Sequence, residues 1–162
     1  SGGVKADLAR VLSNLGRASD AAAMYREALE VTPDNGRLNA MWGDALLVEG
    51  KPAEAMEVYR QAHEFGVRRL VGAARAAAML GRADQARRIA GELMDTAARR
   101  YVRPEAIAQI YAALGDADSA VRWLDRAVEA RSSLAYLNVD RVWVPIRADQ
   151  RFREVVRRVG LP

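Results

Sequence analysis

The chain has 162 residues, a formal net charge of +4, and a composition that is 51% hydrophobic and 28% charged. No apolar run approaches the roughly 20 residues that a membrane-spanning helix needs. There is no cysteine, which excludes disulfides, thiolate nucleophiles and cysteine-ligated zinc.

The basic residues are nearly all arginine, since Lys5 and Lys51 are the only lysines. Alanine and leucine are abundant and β-branched runs are short, which favours helix. Ser1-Gly2-Gly3 reads as a cloning remnant or linker, and the chain as a fragment of a larger protein.

One phrase organises the sequence. Gly50 is followed by a helical stretch with Ala55, Tyr59 and Ala62 on one face. Gly16 leads likewise to Ala21, Tyr25 and Ala28, Gly81 to Ala86, Ala90 and Leu93, and Gly115 to Ala120, Leu124 and Ala127. The glycines stand 34, 31 and 34 residues apart. A period of this size marks a solenoid of helix pairs.

In chain order, Val4, Leu8, Val11, Leu12 and Leu15 predict a helix over 5–15. Ser19 or Asp20 is expected to cap the next, which runs to about residue 31 and turns Met24, Tyr25 and Leu29 inward. The run Thr32-Pro33-Asp34-Asn35-Gly36 stops it. The second pair covers about 37–48 and 52–65, with Pro52 in a tolerated first-turn position. The third covers about 67–80 and 83–99. Its large inward residues have shrunk to Ala73, Ala77 and Ala90, so its helices approach closely or it is the least stable pair. The fourth covers about 104–114 and 117–131, with Ile107, Tyr111, Leu114, Val121, Leu124 and Val128 inward.

Residues 132–162 break the period. Leu134, Tyr136, Leu137, Val142, Trp143, Val144 and Ile146 form an apolar cluster without helical spacing. Asp149 can cap a last helix carrying Phe152, Val155, Val156 and Val159 and ending at Gly160. The final repeat of an array exposes an apolar face, so this tail reads as its cap.

The pattern resembles the tetratricopeptide repeat. Repeat one matches with Leu8, Ala9, Leu12, Ala21, Tyr25, Ala28 and Pro33. Repeat two matches with Gly43, Leu46, Ala55, Tyr59 and Ala62, and repeat four with Ile107, Ala108, Tyr111, Ala120, Leu124 and Ala127. Repeat three is degenerate. The expected fold is all-α: a right-handed α-solenoid of four repeats (about 4–35, 36–66, 67–100 and 101–131), closed by a capping segment over 132–162. The stretches Tyr136-Leu137-Asn138-Val139-Asp140 and Pro145 to Phe152 also look like the closing segment of repeat arrays in bacterial multidomain signalling proteins.

The resemblance implies a non-enzymatic module that holds a peptide or partner protein in a concave groove lined by first helices. Carrying the lining over by phase gives Arg10 and Asn14, then Arg37, Ala40, Asp44 and Val48. Repeat three adds Arg68, Val71, Arg75 and Met79, and repeat four Glu105, Gln109 and Ala113. The partner-binding candidates are Arg10, Asn14, Arg37, Asp44, Arg68, Arg75 and Gln109. Their basic middle suits an acidic partner, with Asp44 and Glu105 flanking it. Some family members clamp a C-terminal carboxylate with a Lys/Asn set. Arg10 and Arg68 stand near two of those places, but Met41 and Gly72 occupy others, so that clamp is not expected.

Nothing in the sequence assembles a catalytic set, and no metal or cofactor is expected. His63 is the only histidine and reads as a packing residue. Asp116 and Asp118 sit where helix capping outweighs cation binding. The arginine clusters at 82–103 and 141–158 raise nucleic-acid binding as an alternative. Interleaved acids and the lack of aromatic stacking platforms argue against it. A second alternative is the regulatory region of an enzyme whose catalytic domain lies elsewhere, and an exposed array end would also permit self-association.

Overall fold

The computed structural model describes residues 2–62 and 66–161. Among these residues it is helical without strands: α1 (Gly2–Asn14), α2 (Ala18–Val31), α3 (Gly36–Val48), α4 (Pro52–Gln61), α5 (Gly66–Met79), α6 (Ala83–Ala97), α7 (Pro104–Ala113), α8 (Ala117–Glu129), a 3-10 segment (Arg141–Ile146) and α9 (Gln150–Arg158). The chain divides into two compact units, Ser1–Leu80 and Gly81–Pro162. The packing expected of His63 and the expected second-pair end at Phe65 lie outside the described residues, as do the side chains of Asn14 and Ala18.

Helix boundaries follow local chemistry. The turn glycines Gly16, Gly50, Gly81 and Gly115 all adopt φ between 71° and 77°, the left-handed region open to glycine. At Gly50 the hydrogen bonds are those of a Schellman ending, Lys51 N–H to Leu46 C=O at 2.9 Å and Gly50 N–H to Leu47 C=O at 3.1 Å. Gly16 and Gly115 end α1 and α7 in the same way. The C-terminal side of α8 uses this ending too, but with Arg131 at φ 52° in place of a glycine. Pro52 and Pro104 occupy the first turns of α4 and α7, where no N–H is needed. Asn35, Asp116 and Asp149 cap α3, α8 and α9 through their side chains. The expected cap of α2 is corrected: the capping position is Arg17, without a side-chain bond, and Asp20 sits in the first turn paired with that arginine.

In the first unit, α1, α2 and α3 share a core of Ala6, Ala9, Leu12, Ala21, Tyr25, Ala28, Leu38, Met41 and Ala45. The buried face of α1 is thus its alanine face. Of the residues whose spacing predicted this helix, Leu12 is buried while Val4, Leu8, Val11 and Leu15 are exposed. A second cluster of Leu46, Leu47, Ala55, Val58, Tyr59 and Ala76 joins α3, α4 and α5, with Trp42 packed against both.

In the second unit, α7 and α8 pack Ala108, Ala112, Ala120, Val121, Leu124 and Ala127 against the tail residues Leu134, Leu137, Val142, Trp143, Ile146, Phe152 and Val155. The rings of Trp143 and Phe152 lie 5.9 Å apart. The tail therefore covers an apolar face of α7 and α8. Tyr136 and Val144, expected in this cluster, are exposed instead. The 3-10 segment around Pro145 turns the chain so that Val142, Trp143 and Ile146 point inward, and no helical period announces it. Ion pairs from Arg151 to Asp118 and from Arg158 to Asp125 (2.7 Å) tie α9 to α8.

Candidate functional site

The site is built around one buried ring. Tyr59, on α4, has no solvent exposure. It sits where α3 and α5 each present a glycine. A Cβ added to Gly43 would lie 2.6 Å from the ring, and one added to Gly72 would lie 2.2 Å from it. Both distances are shorter than any real contact, so the absence of side chains at these two positions creates the slot for the ring. The phenol oxygen emerges from the slot and donates to Asp44 Oδ1 at 2.6 Å.

Asp44, on α3, is the hub. Its other oxygen, Oδ2, accepts from Arg68 Nε at 2.9 Å and from Arg68 Nη2 at 2.5 Å. Three donors thus converge on one carboxylate from α4 and α5. The pair remains accessible: the Arg68 side chain is 45% exposed and that of Asp44 is 28% exposed.

The electrostatics identify the neighbours. Burial, the Asp44 charge and the hydrogen bond to it push the Tyr59 phenol well above its usual range, while the Arg75 and Arg68 guanidiniums oppose the rise. The Tyr25 phenol is pushed up to about 12, first by burial and then by Asp44, against the pull of Arg68 and Arg10. Asp7 adds a smaller push upward. Arg10, Asp44, Arg68 and Arg75 therefore share the field around two phenols. They come from α1, α3 and α5, the first helices of successive pairs. Among the described residues, neither Arg10 nor Arg75 has an ion-pair partner.

The sequence-predicted candidates separate accordingly. Arg10, Asp44, Arg68 and Arg75 come together. Arg37 is exposed in the first turn of α3, and Asn14 ends α1 with its side chain outside the described residues. Gln109 belongs to the second unit and is half-buried on α7. Three residues expected to line the groove are instead buried: Ala40, Val71 and Glu105. Glu105 is 3% exposed and paired with Arg103, so it flanks no open surface. The sequence reading missed the polar role of Tyr59, treated there as a packing residue only. The signal available was the pair of glycines, Gly43 and Gly72, at places where neighbouring repeats carry side chains.

Three tetratricopeptide repeat family profiles match the chain, over residues 6–66, 67–92 and 105–134. The chain belongs to the tetratricopeptide repeat family. Repeats of this family generally mediate protein–protein interaction. A crystal structure of Podosopora anserina kinesin light chain nearly identical TPR-like repeats matches with a TM-score of 0.59 and 16% identity, over 96% of this chain and 91% of that one. At this identity the likeness speaks to the fold alone. No curated protein matches the chain.

In this tetratricopeptide repeat chain the arginines of the 141–158 cluster are largely engaged within the protein. Arg151 bonds Asp149 and Asp118, Arg157 bonds Glu154, and Arg158 bonds Asp125. Arg147 and Arg153 donate to the backbone carbonyls of Asp140 and Ala148. Arg126 stacks over Trp123, with its guanidinium carbon 4.6 Å from the ring centroid. Asp116 serves as a cap, accepting from Ser119 N–H at 3.0 Å, and Asp118 is spent on Arg151. No group of metal-ligating side chains occurs among the described residues.

Proposed function

We propose that the first unit holds an acidic peptide, or an acidic segment of a partner protein, on the face formed by α1, α3 and α5, without catalysing a reaction on it. The observation that carries this reading is the excess of guanidinium there. The charges of Arg68 and Arg10 act on the Tyr25 phenol and those of Arg75 and Arg68 on the Tyr59 phenol, and Arg10 and Arg75 lack carboxylate partners among the described residues. Guanidiniums bind carboxylates through paired, charge-assisted hydrogen bonds. Arg37 extends the contact along α3.

The tail's likeness to bacterial signalling proteins supports placing this module in a larger bacterial signalling or assembly protein. Nucleic-acid binding is the weaker reading, because the arginines of α9 and its approach are tied to acids and carbonyls of the chain itself, and those of the 82–103 cluster are interleaved with Asp84, Glu92 and Asp95.

The test is fluorescence anisotropy with a fluorescein-labelled hexaglutamate peptide at low salt. Native protein binds it, and Arg75→Glu weakens binding by about tenfold or more, the worth of a charge-assisted contact turned repulsive. Equal binding by both proteins, or tighter binding of a hexalysine control, overturns the reading.

A further inference from the structure

Asp44 lies in the middle of the proposed acidic-ligand face and carries the ligand's own chemistry. It is a carboxylate already seated on one of the three guanidiniums. The two partners are not held alike. Asp44 is pinned through Oδ1 by a hydroxyl whose ring is locked between two glycines. Arg68 reaches it from α5 on a long, flexible, half-exposed side chain. Both of its bonds converge on the single oxygen Oδ2, so the arrangement is not the parallel two-oxygen fork that gives arginine–carboxylate pairs their strength. Such an exposed pair adds little to folding. It nevertheless neutralises one cation on a face where Arg10 and Arg75 have no ion-pair partner among the described residues.

We infer that Asp44 is an internal competitor: it occupies Arg68 in the unbound protein and is displaced from it when a partner carboxylate docks at Arg75. The inference rests on the acidic-ligand reading above and adds a regulatory element to it. Arg75 receives the incoming oxygen anion, and Arg68 swings from Asp44 Oδ2 to join it. Tyr59 keeps Asp44 from following. Asp44 thereby sets a threshold, so that single carboxylates exchange weakly and closely spaced ones bind well.

The experiment compares native protein with Asp44→Asn, which keeps an oxygen acceptor for the Tyr59 hydroxyl but removes the charge. With labelled hexaglutamate, Asp44→Asn binds roughly tenfold tighter than native, the scale of a unit charge removed at close range near a protein surface. A double-mutant cycle separates release of Arg68 from a general gain in positive charge. Arg68→Gln weakens binding more in the Asp44→Asn background than in the native one. Equal or weaker binding by Asp44→Asn beside measurable native binding overturns the inference and leaves the acidic-ligand reading standing, and so does an additive cycle. Absence of binding by both proteins overturns the two together. If Asp44→Asn does not fold, the native protein alone decides: the Arg68 Nε–H resonance moves as the peptide saturates. A resonance that stays fixed while that of Arg75 moves overturns the inference.

Discussion

The ring of Tyr59 occupies the space that a side chain at residue 72 would need, with its Cζ only 2.2 Å from where a Cβ on Gly72 would stand. One buried phenol thus decides how closely α5 can approach α4, and it delivers its hydroxyl to Asp44. Packing and charge placement in the first unit share this single contact. Gly72→Ala or Gly43→Ala should destabilise the first unit by about 1 to 3 kcal/mol through overpacking, as measured by urea unfolding. Tyr59→Phe leaves the slot filled and removes only the bond to Asp44, a loss of about 1.5 to 3 kcal/mol for a hydrogen bond to a charged group. A neutral Gly72→Ala would contradict the slot.

The repeat boundaries make an opposing pair of predictions. Nothing lies within 4 Å of a Cβ built on Gly50, so Gly50→Ala introduces only backbone strain at φ +75°. It should cost about 1 to 2 kcal/mol. Arg131 already bears that strain at φ 52°, in an exposed position. Arg131→Gly should therefore stabilise the protein by up to about 1 kcal/mol. Thermal melts of the two variants should move in opposite directions.

Alkali should act through the two buried phenols, Tyr59 and Tyr25, and Tyr25 gives the defined window. Its phenol ionises at about 12 in the folded protein, against a reference of 10.0. The folded form therefore holds its proton where the unfolded form has lost it. The resulting stability is fully present below pH 10 and disappears as pH rises towards 12. Chemical denaturation at pH 9, 10 and 11 should give a stability that falls over this window, and the fall should shrink in Tyr25→Phe. An identical slope in that variant would refute the assignment.

Acid should act on the tail. Hydrogen bonds from the Arg151 side chain and from backbone N–H groups hold the Asp149 carboxyl at about 2, against a reference of 3.8. This depressed value favours the folded tail above pH 3.8, and the benefit is lost as pH falls to about 2. A carbon-detected NMR titration should place Asp149 near 2, and Arg151→Gln should move it upward. No change in that variant would contradict the cause given.

The helices were legible because their punctuation is local. Asn35, Asp116 and Asp149 cap where their spacing to the apolar runs places them, and glycines sit at the left-handed turns. The facing of α1 was not legible. Val4, Leu8, Val11 and Leu15 make the more hydrophobic stripe, yet the helix buries Ala6, Ala9 and Leu12. Small residues permit the close approach of α2 and α3, and side-chain hydrophobicity alone does not report that gain. Phase identified Asp44 and Arg68 as neighbours of one surface. Their mutual pairing across 24 positions depends on how α3 and α5 pack, which no local pattern encodes. The burial of Glu105 beside Arg103 escaped for the same reason.

The most direct test of acidic-partner binding is capture from the source organism's lysate, comparing native protein with an Arg10→Glu, Arg75→Glu double variant. Neither arginine has an ion pair to lose among the described residues, so the variant should keep its native melting profile. The account predicts that mass spectrometry finds proteins with clustered acidic segments on the native chain that are absent from the folded variant. The same proteins retained equally by both would contradict it and place the binding surface elsewhere.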